Sequence, residues 1–225
     1  MRRRKKKGSD IKLLSYNNYV IRENIESLKG KWHEKFGNNN PIHAEFGTGR
    51  GKFITTLAKE NPDINYIAME IKEEVLLKAV EKAAEQNLTN ILFIWGDVNQ
   101  IEEYFDRGEL ERVYINFCDP WPKKRWAKRR LTHTSFLNKY YNILNEKGEV
   151  HFKSDNEGLF EFTLNEICNN PWKLKNICLD LGNNEDVYNV TTEYEDKFMS
   201  QGMKIYRCEA QKVRSEEHTS ELQSR

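Results

Sequence analysis

The chain has 225 residues, 38% hydrophobic and 32% charged, with a formal net charge of +1. That length predicts one α/β domain around a single core. Four scattered cysteines (Cys118, Cys168, Cys178, Cys208) with no C-x-x-C pair argue against a zinc ribbon or a disulfide framework, no metal is expected, and no apolar run reaches the ~20 residues of a membrane helix.

The near-zero net charge hides a segregation. Arg2–Lys7 and Lys123–Arg130 together hold twelve of the 36 basic residues, which leaves 24 to face 35 acids in the rest of the chain. An acidic body with two cationic segments points to a polyanionic partner engaged by particular surfaces. No apolar run follows Arg2–Lys7, so it is not read as a secretory signal, and a cytoplasmic location is expected. Taken alone, this run reads equally as a solubilising tail.

Residues 1–40 are expected to form the basic tail and a leading helix over Ile11–Lys29, with Leu14, Tyr19, Ile25 and Leu28 as apolar contacts. The main domain is expected over residues 41–213. Its predicted strands are Ile42–Phe46, Ile64–Met69, Ile91–Trp95, Val113–Phe117, Glu149–Lys153, Lys173–Leu181 and Ile205–Gln211. Helices are predicted at Lys52–Glu60, Glu73–Gln86, Ile101–Phe105, Thr134–Leu144, Asn156–Cys168 and Tyr194–Met199. Strands alternating with helices imply a mostly parallel sheet covered on both faces. Residues 214–225 read like the translation of a sequencing-adapter oligonucleotide and are left out of the fold.

Gly47, Gly49 and Gly51 follow a strand and open a helix, where the backbone can turn sharply and approach a ligand closely. Glu70 ends the second strand, where an acid can accept from both ribose hydroxyls, and Asp97 ends the third, where it can hold an adenine amine. A dinucleotide fingerprint requires a third glycine at position 52, which is Lys52. Glu45, just before the turn, would repel a pyrophosphate and suit a cation. S-adenosylmethionine (SAM), with a sulfonium and an α-ammonium, fits these residues better than NAD.

The fourth strand runs into Asp119, Pro120 and Pro122; prolines cannot continue a sheet ladder, so Asp119 lies at the carboxyl edge, where open α/β sheets bind ligands. Six Lys or Arg occupy the eight positions from Lys123 to Arg130, with Trp126 among them. A carboxylate beside a cationic patch fits a nucleic acid with one selected base. Three other readings stay open on the residues alone. They are a SAM-dependent methyltransferase for another RNA or a small molecule, a non-catalytic RNA-binding module with a residual SAM pocket, and an NAD-dependent oxidoreductase.

Assembled, these motifs resemble the bacterial tRNA (guanine-N7-)-methyltransferases over nearly all of residues 1–213. The similarity is carried by residues 45–51, Asp119 to Arg125, Lys128 to Leu131, His151 to Asn156, Thr192 to Phe198 and Ile205 to Arg207. The resemblance implies a Rossmann-like class I methyltransferase fold, seven-stranded with an antiparallel last strand. It implies that Glu45, Gly47, Gly49, Gly51, Glu70, Asp97 and Asp119 line the SAM site, with Asp119 catalytic. Lys123, Asp155, Thr192, Glu193, Tyr194 and Glu195 would bind the target guanosine, and Arg125, Lys128, Arg129 and Arg130 the tRNA. The target would be the guanosine at position 46, in the variable loop. Trp126 stands where a His is frequent in the family, and Cys118 where a Ser is frequent. A monomer or a homodimer is compatible with the sequence.

Overall fold

The computed structural model describes residues 8–184 and 186–213. The Arg2–Lys7 run and the expected adapter-derived tail, residues 214–225, lie outside the described residues. A short helix α1 (Ser9–Leu14) precedes an edge strand β1 (Val20–Ile21) and a helix α2 (Trp32–Phe36). Then β2 (Ile42–Phe46), α3 (Lys52–Glu60), β3 (Asn65–Glu70), α4 (Glu73–Glu85) and β4 (Ile91–Trp95) alternate. They are followed by α5 (Ile101–Tyr104), β5 (Leu110–Asn116), α6 (Thr134–Ile143), β6 (Leu144–Ser154), α7 (Glu157–Cys168), β7 (Trp172–Cys178), α8 (Glu193–Met199) and β8 (Tyr206–Lys212).

The sheet has eight strands in the order β1-β4-β3-β2-β5-β6-β8-β7. Strands pair in parallel from β1 to β6, and β8 runs antiparallel to both β6 and β7. The expected reversed last strand is therefore present, but the sheet is one strand larger than predicted. The extra strand lies inside the segment read as one leading helix. Val20 and Ile21 are buried and pair with Phe93 and Ile94, because β-branched residues at a sheet edge gain more from pairing than from helix. Left-handed backbone at Asn24 (φ 54°) and Gly30 (φ 74°) breaks the remainder. Leu14, taken as a core contact, is 48% exposed, while its neighbour Leu13 is fully buried.

Side chains alternate along each strand, so one face collects Ile42, Ala44 and Phe46, Val113 and Ile115, Val150 and Phe152, against α6 and α7. The opposite face packs on α1, α3 and α4 through Leu13, Ile54, Leu76 and Val80. Helices thus cover both faces. The residues turned to the α3 side from β2 outward are unusually polar: His43 and Glu45, Arg112, Tyr114 and Asn116, then Glu149, His151 and Lys153. No helix among the described residues is long and apolar enough to cross a membrane.

Candidate active site

Beyond β2 the backbone folds back on β3: Gly47 N–H and Thr48 N–H both donate to the Met69 carbonyl at 2.9 Å. Gly47 (φ +85°), Gly49 (φ +59°) and Gly51 (φ +80°) are all left-handed. A Cβ built on Gly47 or Gly49 meets no protein atom within 4 Å, so those two face open space, as a ligand cradle requires. A Cβ on Gly51 would lie 2.4 Å from the Ala79 Cβ. Gly51, expected to bind cofactor, lets α3 start against α4.

Glu45, the next-to-last residue of β2, is 1% exposed. One carboxylate oxygen accepts from Thr48 Oγ1 at 2.6 Å and the other from Asn116 Nδ2 at 2.8 Å. Burial pushes its carboxyl up to about 7, against the pull of those two donors and of the Lys153 charge. Next to it opens a cavity of about 490 Å³ whose lining includes Gly47, Gly49, Phe117, Thr192, Glu193 and Tyr194. Glu70, the last residue of β3, accepts from Gly49 N–H at 3.3 Å and from the Ile71 and Lys72 N–H groups at 3.0 Å. Asp97 accepts from the backbone and side-chain nitrogens of Asn99, each at 2.9 Å, capping the 3-10 turn that follows β4. The three acids lie at the carboxyl ends of adjacent parallel strands.

β5 stops one residue before the predicted end, because Phe117 turns left-handed (φ 52°) while its N–H still donates to the Lys153 carbonyl at 2.9 Å. This kink carries the chain to Asp119, which is exposed. Asp155 follows β6 and is half-buried. Partial burial, and then the charges of Asp155 and Asp119, hold the Tyr194 phenol above its usual range. Phe117 packs on Tyr194 with centroids 5.4 Å apart. Burial and the Asp119 charge push the Cys118 thiol up to about 12, so Cys118 stays protonated and packs on the core.

The basic segment forms a 3-10 turn, Lys124–Arg129, built on two tryptophans. Trp121 and Trp126 meet edge to face at 5.9 Å. Lys123 Nζ and the Arg125 guanidinium each lie 5.0 Å from the Trp126 ring, and the Arg129 guanidinium lies 5.0 Å from Trp121. Arg130 covers Phe162 at 4.2 Å and donates to the Trp121 carbonyl at 3.1 Å. Lys128 is exposed. Cations stacked on aromatic faces keep their charged heads in water while their orientations are restricted.

Helix α8 opens on a capping box: Glu195 N–H donates to Thr192 Oγ1 at 2.9 Å and the Glu195 carboxylate accepts from Thr192 N–H. Glu193 pairs with Lys82 of α4. Glu195, expected at the guanosine, is fully buried, and its carboxylate is committed to Lys153 Nζ at 2.7 Å and to Asn189. Thr192, Glu193 and Tyr194 do line the cavity. Asn116, Thr48 and Lys153 are functional neighbours that the motif reading missed. Period-2 alternation in β5 and β6, which turns Asn116 and Lys153 to the Glu45 face, is the signal that finds them. Glu149, His151 and Glu209 bring three metal-type ligand atoms within 4.8 Å of one another. Their charges are already met by Arg112, Lys175 and Arg207.

The family model described as "Putative methyltransferase" matches residues 39–208. Over 212 residues the chain is 72% identical to a tRNA (guanine-N(7)-)-methyltransferase of Clostridioides difficile (strain 630), covering 94% of this chain and 99% of that protein. The chain belongs to the tRNA (guanine-N(7)-)-methyltransferase family. A member from Streptococcus agalactiae serotype III is 49% identical over 210 residues, 93% of this chain and 99% of that one. Among solved structures, the 16S rRNA methyltransferase KamB superposes with a TM-score of 0.65 at 13% identity, over 82% of this chain and 94% of that one, a likeness of fold.

The family is SAM-dependent, and the residues here fit that cofactor. A buried carboxylate with neutral hydrogen-bond donors at both oxygens faces a cavity whose lining also includes Arg50, Glu193 and Lys197. The two open glycines leave backbone free to approach the ligand. Glu45 would hold the α-ammonium group, Glu70 the ribose hydroxyls and Asp97 the adenine amine.

Proposed function

We propose that this chain methylates N7 of guanosine 46 in the variable loop of tRNA, giving 7-methylguanosine, with Asp119 as the catalytic carboxylate. The observation that carries the reading is the placement of Asp119, just past the kink at Phe117 that lines the Glu45 cavity and four residues ahead of the tryptophan-backed cations. Bound SAM supplies a methyl group on a positively charged sulfur. Guanine N7 already presents an in-plane lone pair, so no general base is needed, and the protein's task is alignment and electrostatics.

Asp119 and Asp155 accept from guanine N1–H and N2–H₂ and oppose the positive charge arriving on the purine. Adenine offers no such donor pair, which selects guanine. Tyr194 and Phe117 give the base an aromatic wall. Pulling a base out of folded tRNA costs a few kcal/mol, which phosphate contacts of Lys123, Arg125, Lys128, Arg129 and Arg130 offset. A tRNA substrate fits a cytoplasmic protein.

The test is incubation of the protein with unmodified tRNA and methyl-labelled SAM, followed by mapping of the modified base. Label at N7 of position 46, lost in Asp119→Ala with an unchanged melting temperature, is the expected result. Label at another base or near-normal turnover of the variant would overturn it.

A further inference from the structure

Lys153 is a buried lysine that the reaction as described does not use. It is 5% exposed in the middle of the sheet, on β6, next to the strand that supplies Asn116. Its three ammonium protons are all placed: Glu195 Oε2 at 2.7 Å, the Val190 carbonyl at 2.9 Å and Asn189 Oδ1 at 3.1 Å. The ammonium also lies 4.9 Å from the Phe53 ring of α3. Every partner apart from Phe53 belongs to the segment that ends in the α8 capping box. That segment carries Thr192, Glu193 and Tyr194 to the cavity wall.

We propose that Lys153 is a positioning residue: its buried pair with Glu195 fixes the start of α8 over the cavity, and its ammonium, across one strand from the Asn116 that holds Glu45, favours a negative charge there for the cationic cofactor. The inference rests on the reading of the cavity as the SAM site. A buried ion pair adds little stability by itself but is costly to break, since the abandoned partner stays charged in an apolar place. Its position therefore calls for another account, and two observations supply one. The pair spans 42 residues of sequence and joins the sheet centre to the helix that lines the ligand cavity. The charges acting on Glu45 are those of Lys153, which favours its ionised form, and Glu193, which opposes it. Glu193 is in turn held by Lys82. Burial holds the Lys153 ammonium below the usual lysine range, against the pull of Glu195 and Glu45, which favour its charged form, and with Arg207 opposing it too.

Calorimetric titration with SAM from about pH 6 to about pH 9 tests this, because Glu45 ionises within that range. Wild-type affinity should rise with pH and level off above about 7. In Lys153→Met that rise should move to higher pH, with affinity about tenfold weaker at neutrality and recovering on the alkaline side. Lys153→Arg, which keeps the charge, should leave the pH of the rise in place. If the single neutral variant fails to fold, Lys153→Met/Glu195→Gln removes both charges together and should fold. It should still show the alkaline displacement, since Lys153 is the member of the pair that acts on Glu45. An undisplaced rise in both neutral variants would reduce Lys153 to packing and overturn the proposal. Failure of wild-type protein to methylate tRNA, with the displacement present, would instead overturn the assigned reaction and leave this inference standing.

Discussion

Replacing Glu45 by Gln should make the ligand-free protein more stable while destroying its affinity for SAM. Gln can keep both contacts, accepting from Asn116 Nδ2 and donating to Thr48 Oγ1, so the geometry around it need not change. What changes is charge. The Glu45 carboxyl ionises at about 7 in the folded protein, against an ordinary value of 4.5. A folded-state value above the unfolded one means that the native protein binds the proton more tightly. Stability is then full below the ordinary carboxylate range and is lost as pH rises from about 4.5 to about 7. The gap corresponds to about 3 kcal/mol above neutrality, at about 1.4 kcal/mol per pH unit. For a chain of this size, that is about 6–12 °C in melting temperature. Thermal melts of both proteins across pH 4–9 are the assay. The curves should converge near about pH 4.5 and separate progressively up to about pH 7, with the variant higher. SAM should raise the wild-type melting temperature at alkaline pH and leave the variant unmoved. Equal melting temperatures at all pH values, or a variant stabilised by SAM, would refute the reasoning.

Four further outcomes follow from the same geometry. Gly51→Ala should lower stability by about 2 kcal/mol or more in chemical denaturation, because its new methyl meets the Ala79 Cβ at 2.4 Å with φ at +80°. Gly49→Ala meets no protein atom, so its main loss should be in SAM affinity by calorimetry, beyond about 1 kcal/mol of left-handed strain in the melt. Trp126→Ala removes the face under Lys123 and Arg125 and should weaken tRNA binding several-fold in a filter assay while SAM affinity holds. Arg129→Ala/Arg130→Ala should flatten the plot of log affinity against log salt by roughly 0.7–0.9 per lost phosphate contact. An unchanged slope would remove those residues from the RNA surface.

Much of this architecture is legible in the sequence because it is local. An apolar run ended by an acid, repeated at Glu45, Glu70 and Asp97, marks successive parallel strands and their ligand edge without any tertiary information. The two prolines after Asp119 mark another such end for the same reason. The leading segment misled because its apolar residues fall at helical intervals, yet its buried positions are Leu13, Val20, Ile21 and Ile25, chosen by what β4 and α4 offer rather than by local period. Gly51 and Gly49 look alike in sequence, and only the distance to Ala79 separates a glycine packed on a helix from one that faces open space. Glu195 lies inside a motif expected to touch substrate, but the partner that decides its role is Lys153, far away in the chain.

The polar residues on the α3 side of the sheet explain why such distant pairs matter here. From β5 outward that face carries Arg112, Tyr114, Asn116, His151 and Lys153, where a helix-covered sheet would carry aliphatic side chains. Over part of it lies the segment that includes Tyr188, Asn189 and Val190, alongside Phe53 and Leu57 of α3. A strap of this kind must be fixed by specific contacts, since it has little apolar surface with which to hold itself down. Lys153 to Glu195, Lys52 to Thr191 and Asp196, and Lys82 to Glu193 supply them. Each fastens the start of α8 to a different element: β6, α3 and α4. The cavity wall of Thr192, Glu193 and Tyr194 is thus held by charge pairs, whereas the glycine turn opposite it is held by the backbone of β3. Charge reaching the site, from a cationic donor or a polyanionic RNA, acts directly on the contacts that shape that wall.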